Sequence, residues 1–93
     1  YTKFRGANLI QSKFSGGYFN KVDFSGSNLI GSEMIAVDLR NSVFTSAKLD
    51  NINFSESNVS GMNFANFKLN ETMFLNSIMC DTIVPWQKEK VSC

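Results

Sequence analysis

The stretch FRGANLIQSKF (residues 4–14) sets Phe4, Leu9 and Phe14 five residues apart, and the spacing returns in FSGSNLIGS (24–32), FTSAKLDNINF (44–54) and FSESNVSGMNF (54–64). Stepping by five from Phe4 gives sixteen positions, all apolar: Phe4, Leu9, Phe14, Phe19, Phe24, Leu29, Met34, Leu39, Phe44, Leu49, Phe54, Val59, Phe64, Leu69, Phe74 and Met79. Neither a helix, with period 3.6, nor a flat strand, with period 2, repeats in this way. Two residues before each of these centres the side chain is small: eleven of the sixteen are Ala, Gly, Ser or Thr. The residue between is mostly polar, as at Lys3, Asn8, Asp23, Asn28, Asn53 and Asn58. Small, polar, large apolar is the pattern of a very short strand with two side chains inward and one outward. The two residues left in each unit must turn the chain. Two positions after the centre stand Gly6, Gly16, Gly26, Gly31, Gly61, Asn41, Asn51, Asn66 and Asn76, residues that tolerate positive φ.

Every fourth centre matches its predecessor. Phe4, Phe24, Phe44 and Phe64 form one column and Leu9, Leu29, Leu49 and Leu69 the next. Phe14, Met34, Phe54 and Phe74 form the third, and Phe19, Leu39, Val59 and Met79 the last. A coil of twenty residues with four sides explains this, because it stacks like residues and lets backbone ladders form at a spacing of about 4.8 Å. Residues 2–81 supply about four such coils, a rod of roughly 20 Å.

These units resemble the pentapeptide-repeat family, whose consensus is A(D/N)Lxx, over residues 1–81. The resemblance implies an all-β fold: a right-handed quadrilateral parallel β-helix of about four coils. The chain departs from the pattern where bulky Val22, Val37, Ile52, Met62 and Phe67 occupy the small column, and the coil is expected to widen there or the facing centres to shrink. Residues 82–93 read as a C-terminal cap or tail. Pro85 lacks the N–H of a ladder, and Ile83, Val84 and Trp86 are expected to cover the top coil. Tyr1 starts directly in repeat register, so a piece of a longer protein, or a partner over the front end, is expected.

The 93 residues suffice for one domain, and 43% apolar with 18% charged residues excludes a disordered chain. A net charge of +1 excludes a strongly basic nucleic-acid binder. No apolar run exceeds four residues, so no segment spans a bilayer as a helix, and no signal-peptide core opens the chain. Histidine is absent, which removes Ser-His-Asp and Cys-His catalysis and His metal ligation. The carboxylates are scattered over outward positions, where Asp38 with Arg40 and Lys48 with Asp50 read as solvated pairs. Gly16-Gly17 is followed by no Lys-Ser/Thr and forms no phosphate loop. No enzyme activity, cofactor or metal is expected. Cys80, one residue after a centre, should point outward, and Cys93 lies in the tail; free thiols are the expectation and a disulfide between them the alternative.

The function this supports is a non-enzymatic scaffold for protein interaction, expected to belong to a larger bacterial protein. The candidate surface is the apolar group Met73, Leu75, Ile78 and Trp86 near the C-terminal end, through which a homodimer is expected, since members of the family resemble dimers joined there. Two alternatives come from the same resemblance. One is a gyrase-directed DNA mimic like the quinolone-resistance members, supported by Ile83, Trp86 and Gln87, which are similar to an Ile-x-x-Trp-Gln pattern near their C-termini. The charges by side oppose it, at +1, 0, −1 and 0, since no side imitates a line of phosphates. The other is the β-helix module of a secreted effector. Neither nucleic acid nor membrane is expected as a partner, and the absence of targeting signals suggests a cytoplasmic location.

Overall fold

In a regular five-residue unit every backbone N–H has a partner at a fixed offset, and that accounting generates the coil. The computed structural model describes residues 3–93. In the unit 27–31, Ser27 N–H closes a tight turn onto the Phe24 carbonyl (3.0 Å). Asn28 N–H reaches down to Ala7 (2.9 Å), while Leu29 and Gly31 N–H reach up to Lys48 and Asp50 (both 2.9 Å). The remaining donor, Ile30 N–H, goes to the side-chain oxygen of Asn28 (3.2 Å). The last of these bonds explains the abundance of asparagine. Asn8, Asp23, Asp38, Asn53, Asn58 and Asn63 use the same oxygen on the N–H two residues on, an Asx turn that satisfies the one donor the ladder leaves free.

Parallel pairing at an offset of twenty follows. Lys3, Asn8, Lys13 and Tyr18 pair with Asp23, Asn28, Glu33 and Asp38, and these pair in turn with Val43, Lys48, Asn53 and Asn58. The result is a repeat β-helix whose strands are single pairings separated by turns, with four short sides per turn of the chain. The turn residue two after the centre is left-handed wherever the register holds, at five glycines and at nine other residues with φ between 57° and 65°. Glycine and asparagine were expected there. Gln11, Lys21, Ala36, Ser46, Glu56 and Asp81 also adopt the conformation, and all but Ser46 are held in it by backbone bonds such as Gln11 N–H to Ile30 O (2.9 Å) despite the unfavourable Cβ contact.

The core is the inside of the coil. Phe24 lies stacked between Phe4 and Phe44, with ring centroids 5.3 and 5.0 Å apart. Eleven of the sixteen centres are buried, and Phe4, Leu9, Phe14, Phe19 and Met79, which lie toward the two ends of the stack, are half-buried. The expected inward Thr2 and the register of Tyr1 lie outside the described residues. Thr82 and Val84 are buried and Ile83 pairs with Asn63, so the repeat pattern runs on through residue 84.

The bulky residues of the small column are accommodated in two ways. At Val22 and Val37 the coil widens at its turn, and a serine hydroxyl from the coil above enters it. Ser57 Oγ accepts from Val37 N–H (3.0 Å) and donates to the Met34 carbonyl, so it stands in the place of the direct turn bond. At Val22 the direct turn bond to the Phe19 carbonyl persists, stretched to 3.4 Å, and the Ser42 hydroxyl accepts from Val22 N–H and donates to the Phe19 carbonyl beside it. At Met62 and Phe67 the coil opens instead. Among the described residues Val43 does not pair with Asn63, nor Lys48 with Lys68; the third and fourth coils are joined by the pairing of Asn58 with Ile78 and by Phe54 and Glu56 N–H donating to Met73 and Leu75 carbonyls (both 2.8 Å). The ladders expected through all four coils are therefore complete only through the third. Asn66 and Glu71, at turn positions, lack the left-handed conformation. A 3₁₀ turn, Glu71–Phe74, replaces the regular side; Asn70 caps it through Thr72 N–H (3.1 Å), and Thr72, expected inward, is exposed.

Of the two surface pairs expected, Arg40 meets Asp38 at 2.7 Å, and no ion pair joins Lys48 to Asp50 among the described residues. The Arg40 side chain donating to Asp38 holds its carboxyl below the ordinary carboxylate value, against partial desolvation. Asp23 is lowered by hydrogen bonds from the Ser25 side chain and backbone. A lowered folded-state value means that this stabilisation is complete above the unfolded carboxylate pKa, near 3.9, and is lost as pH falls through the folded one. Asp38→Asn keeps the oxygen facing Arg40 N–H and removes the charge. Urea midpoints from pH 7 to pH 3 are expected to fall less steeply in this variant than in the parent.

The two kinds of buried serine make opposite predictions. Ser57→Ala strands Val37 N–H and should cost about 1–3 kcal/mol. Ser32 is fully buried and its hydroxyl has no partner, so Ser32→Ala should be neutral or stabilising, within about 0.5 kcal/mol. Denaturant melts of the two variants check the order.

Candidate functional site

The side chains expected to form one apolar surface divide into two groups. Leu75 and Ile78 are exposed, at 60% and 57%. Met73 and Trp86 are half-buried and packed against the core, with the Trp86 ring 5.5 Å from Phe74. The 3₁₀ turn explains the position of Met73, since it displaces this side from the regular register. Trp86 follows Pro85, where the coil has turned over Phe74.

The tail folds back beside it. Asp81 N–H donates to the Val91 carbonyl and Val91 N–H to the Thr82 carbonyl, both at 2.9 Å. Asp81 N–H would otherwise reach up to a further coil, so Val91 takes the place of that coil at this edge. A disulfide between Cys80 and Cys93 ties the strap down and neither cysteine is free. This corrects the expectation of free thiols. Cys80 does lie one residue after its centre, but the returning tail brings Cys93 to it. The Asp81 carboxylate lies within 4.8 Å of both sulfurs, but the thiols are consumed in the disulfide and leave no thiolate ligand.

Sequence reasoning missed a second feature, the cleft where the third and fourth coils part. Its volume is about 740 Å³, and its walls are residues 41–47 on one lip with Gly61, Met62, Asn63, Asn66 and Phe67 on the other. Inside, the aromatic stack persists in loosened form: Phe44 and Phe64 are 6.3 Å apart and tilted by 43°, against 5.0 Å and 5° for Phe24 and Phe44. Phe67 sits edge-on to Phe64 at 6.1 Å. The available signal was the succession of Met62 and Phe67, two bulky residues on consecutive small positions. No ionisable residue is among those lining the cleft.

No helix among the described residues is long and apolar enough to cross a membrane. Among known families, the one described as pentapeptide repeats matches residues 2–41 and 23–61, in eight copies. No curated protein sequence matches the chain. Among solved structures, a pentapeptide repeat protein from the thylakoid lumen of Arabidopsis thaliana is similar at 22% identity with a TM-score of 0.52; the match covers 87% of this chain and 60% of that one. The likeness extends to the fold, and the chain spans about 60% of that protein's length.

The closed tail makes a prediction of its own. Linking residues thirteen apart in sequence restricts the unfolded chain by up to about 3 kcal/mol. Cys93→Ser should lower stability by no more than that and should free the Val91 amide to exchange, while the amides of Phe24 and Leu29 stay protected. Hydrogen exchange read residue by residue checks both parts.

Proposed function

The chain belongs to the pentapeptide-repeat family, and on that premise we propose that it is a non-enzymatic scaffold for protein interaction, built as a right-handed quadrilateral β-helix whose repeat runs through residue 84, with the following residues to 93 as its cap. The observation that carries the reading is the division of labour within each unit. Inward positions and backbone are consumed in the core and ladder, and the outward side chains other than the Asn and Asp of the Asx turns are free to vary at little cost to the fold. The charge of each side, never beyond one unit, weighs against DNA mimicry, and neither nucleic acid nor membrane is a proposed partner. The Cys80–Cys93 disulfide favours an oxidising compartment over the cytoplasm, and so gives more weight to an exported module, including the secreted bacterial effector, than the sequence did.

The proposed contact at the C-terminal end is a homodimer through Leu75 and Ile78, with the Trp86 edge beside them. Exposed aliphatic side chains next to a capped coil suit an isologous interface. Sedimentation of the intact chain at about 100 µM, where a contact of about −5.5 kcal/mol is half formed, should show a dimer, and Leu75→Lys with Ile78→Lys should return it to monomer. A monomeric intact chain overturns the dimer, and inhibition of gyrase supercoiling that weakens when surface carboxylates are neutralised would favour the mimic in its place.

A further inference from the structure

The strap at the C-terminal end brings three side chains of metal-ligating type to one point. The sulfurs of Cys80 and Cys93 and a carboxylate oxygen of Asp81 all lie within 4.8 Å of one another, with the Asp81 oxygen 3.9 Å from the Cys80 sulfur. Cys80 is half-buried, Asp81 and Cys93 are exposed, and among the described residues Asp81 is in no ion pair. The backbone bonds that seat the strap involve no sulfur: Asp81 N–H donates to the Val91 carbonyl and Val91 N–H to the Thr82 carbonyl. Any link between Cys80 and Cys93 with about the reach of the disulfide therefore leaves the strap seated. Asp81 serves both parts, since its backbone anchors the strap and its carboxylate stands beside the sulfurs.

We propose that in the reduced chain Cys80, Asp81 and Cys93 bind a divalent cation of the zinc class, which holds the strap in place of the disulfide. The two links are alternatives. A dithiol gives two electrons and two protons to the Cys80–Cys93 bond and is left as its own disulfide; the bond becomes two thiols, and each loses its proton as the metal binds. The same thiols are present in the newly made chain before oxidation. The donor set selects the cation, because thiolate sulfur suits zinc, whereas magnesium and calcium take oxygen ligands. In a tetrahedral site with Zn–S of about 2.3 Å and Zn–O of about 2.0 Å, two sulfurs stand about 3.8 Å apart and a sulfur and an oxygen about 3.5 Å. The Asp81 oxygen is close to that distance from Cys80 already, and side-chain rotation at the exposed Cys93 separates the sulfurs once their bond is broken. Solvent reaches the fourth position, which is left to water. The sequence pointed away from such a site, having no histidine and two cysteines thirteen residues apart; the returning tail and the neighbouring Asp81 complete the set.

The probe is cobalt(II), added without oxygen to the intact chain after reduction by a phosphine. Expected are a thiolate-to-cobalt charge-transfer band, the visible bands of a tetrahedral site, and one cobalt per chain. Zinc should displace the cobalt and bind at about 1 µM or tighter. Asp81→Asn, which tolerates the same left-handed turn, should weaken cobalt binding at least tenfold, and Cys93→Ser should abolish the charge-transfer band. Zinc should also slow exchange of the Val91 amide at least tenfold in the reduced parent and leave it unchanged in Cys93→Ser. No charge-transfer band in the reduced parent at millimolar cobalt would overturn the proposal. An equal band in Cys93→Ser would do so too, because Cys80 alone would account for it, as would an unchanged affinity in Asp81→Asn, because the carboxylate would then be no ligand. One cobalt per two chains would place the metal between copies and likewise overturn it. None of these outcomes bears on the scaffold reading, which sedimentation of the oxidised chain tests separately.

Discussion

Pairing of each residue with the one twenty positions away is the constraint on which the rest depends. Because the backbone of one coil satisfies the next, the side chain at any position must tolerate its own kind directly above it. Phenylalanine rings at a spacing of 5.0–5.3 Å over three coils are what that tolerance looks like, since stacked faces at this separation are attractive. The same constraint makes the structure one-dimensional: each coil is stabilised by its two neighbours and by nothing further away. Stability in such a rod is a property of interfaces between coils, and one weak interface divides it. Here the division falls between the third and fourth coils, where two of four sides lose their ladder hydrogen bonds.

The tolerance has a measurable limit in side-chain size. At Val37 the direct turn bond gives way to a serine hydroxyl one coil above, which supplies a donor and an acceptor at once, whereas Ile52 keeps its turn bond to the Leu49 carbonyl (3.1 Å). The arrangement works because a hydroxyl can accept from Val37 N–H and donate to Met34 O simultaneously. At Met62 and Phe67 the turn bonds hold (3.2 and 3.1 Å) and it is the ladder to the coil below that is lost. Thr82 stands above Met62 and still bonds the Val59 carbonyl (2.9 Å), so the coil above Met62 remains in register. Nothing comparable stands above Phe67, and the chain relaxes into the 3₁₀ turn Glu71–Phe74 before the register resumes at Asn76.

The columns were legible because their period is a property of sequence order alone. The bulky exceptions were legible as exceptions, but the choice between widening and opening depends on which residue lies twenty positions on, so Val37 and Phe67 look alike until their neighbours are stacked. Left-handed turns were legible at Gly26 or Asn41 and not at Gln11 or Lys21, where the ladder overrides the intrinsic preference of the residue. The role of the asparagines was hidden for a related reason: an outward polar residue reads as solvated surface, whereas Asn28 serves a backbone donor two residues away. The disulfide was beyond reach because nothing in the tail sequence QKEKVSC specifies that it returns along the last coil.

A coil of this kind can meet a partner in two physically different ways. Its sides offer side chains, which the fold leaves free and which select a partner by residue type. Its edges offer backbone groups, which are the same whatever the sequence and select a partner by conformation. At the C-terminal end that edge is covered in part, by Val91 at Asp81 and Thr82 and by the disulfide that holds the strap in place, as expected of an edge that would otherwise pair indiscriminately. The edge inside the rod has no such cover. It is narrowed instead, because Phe44 and Phe64 keep the coils together at the core side and leave access only from outside. Rings 6.3 Å apart leave no room for a further layer between them, so the opening stays confined to the outside of the coil.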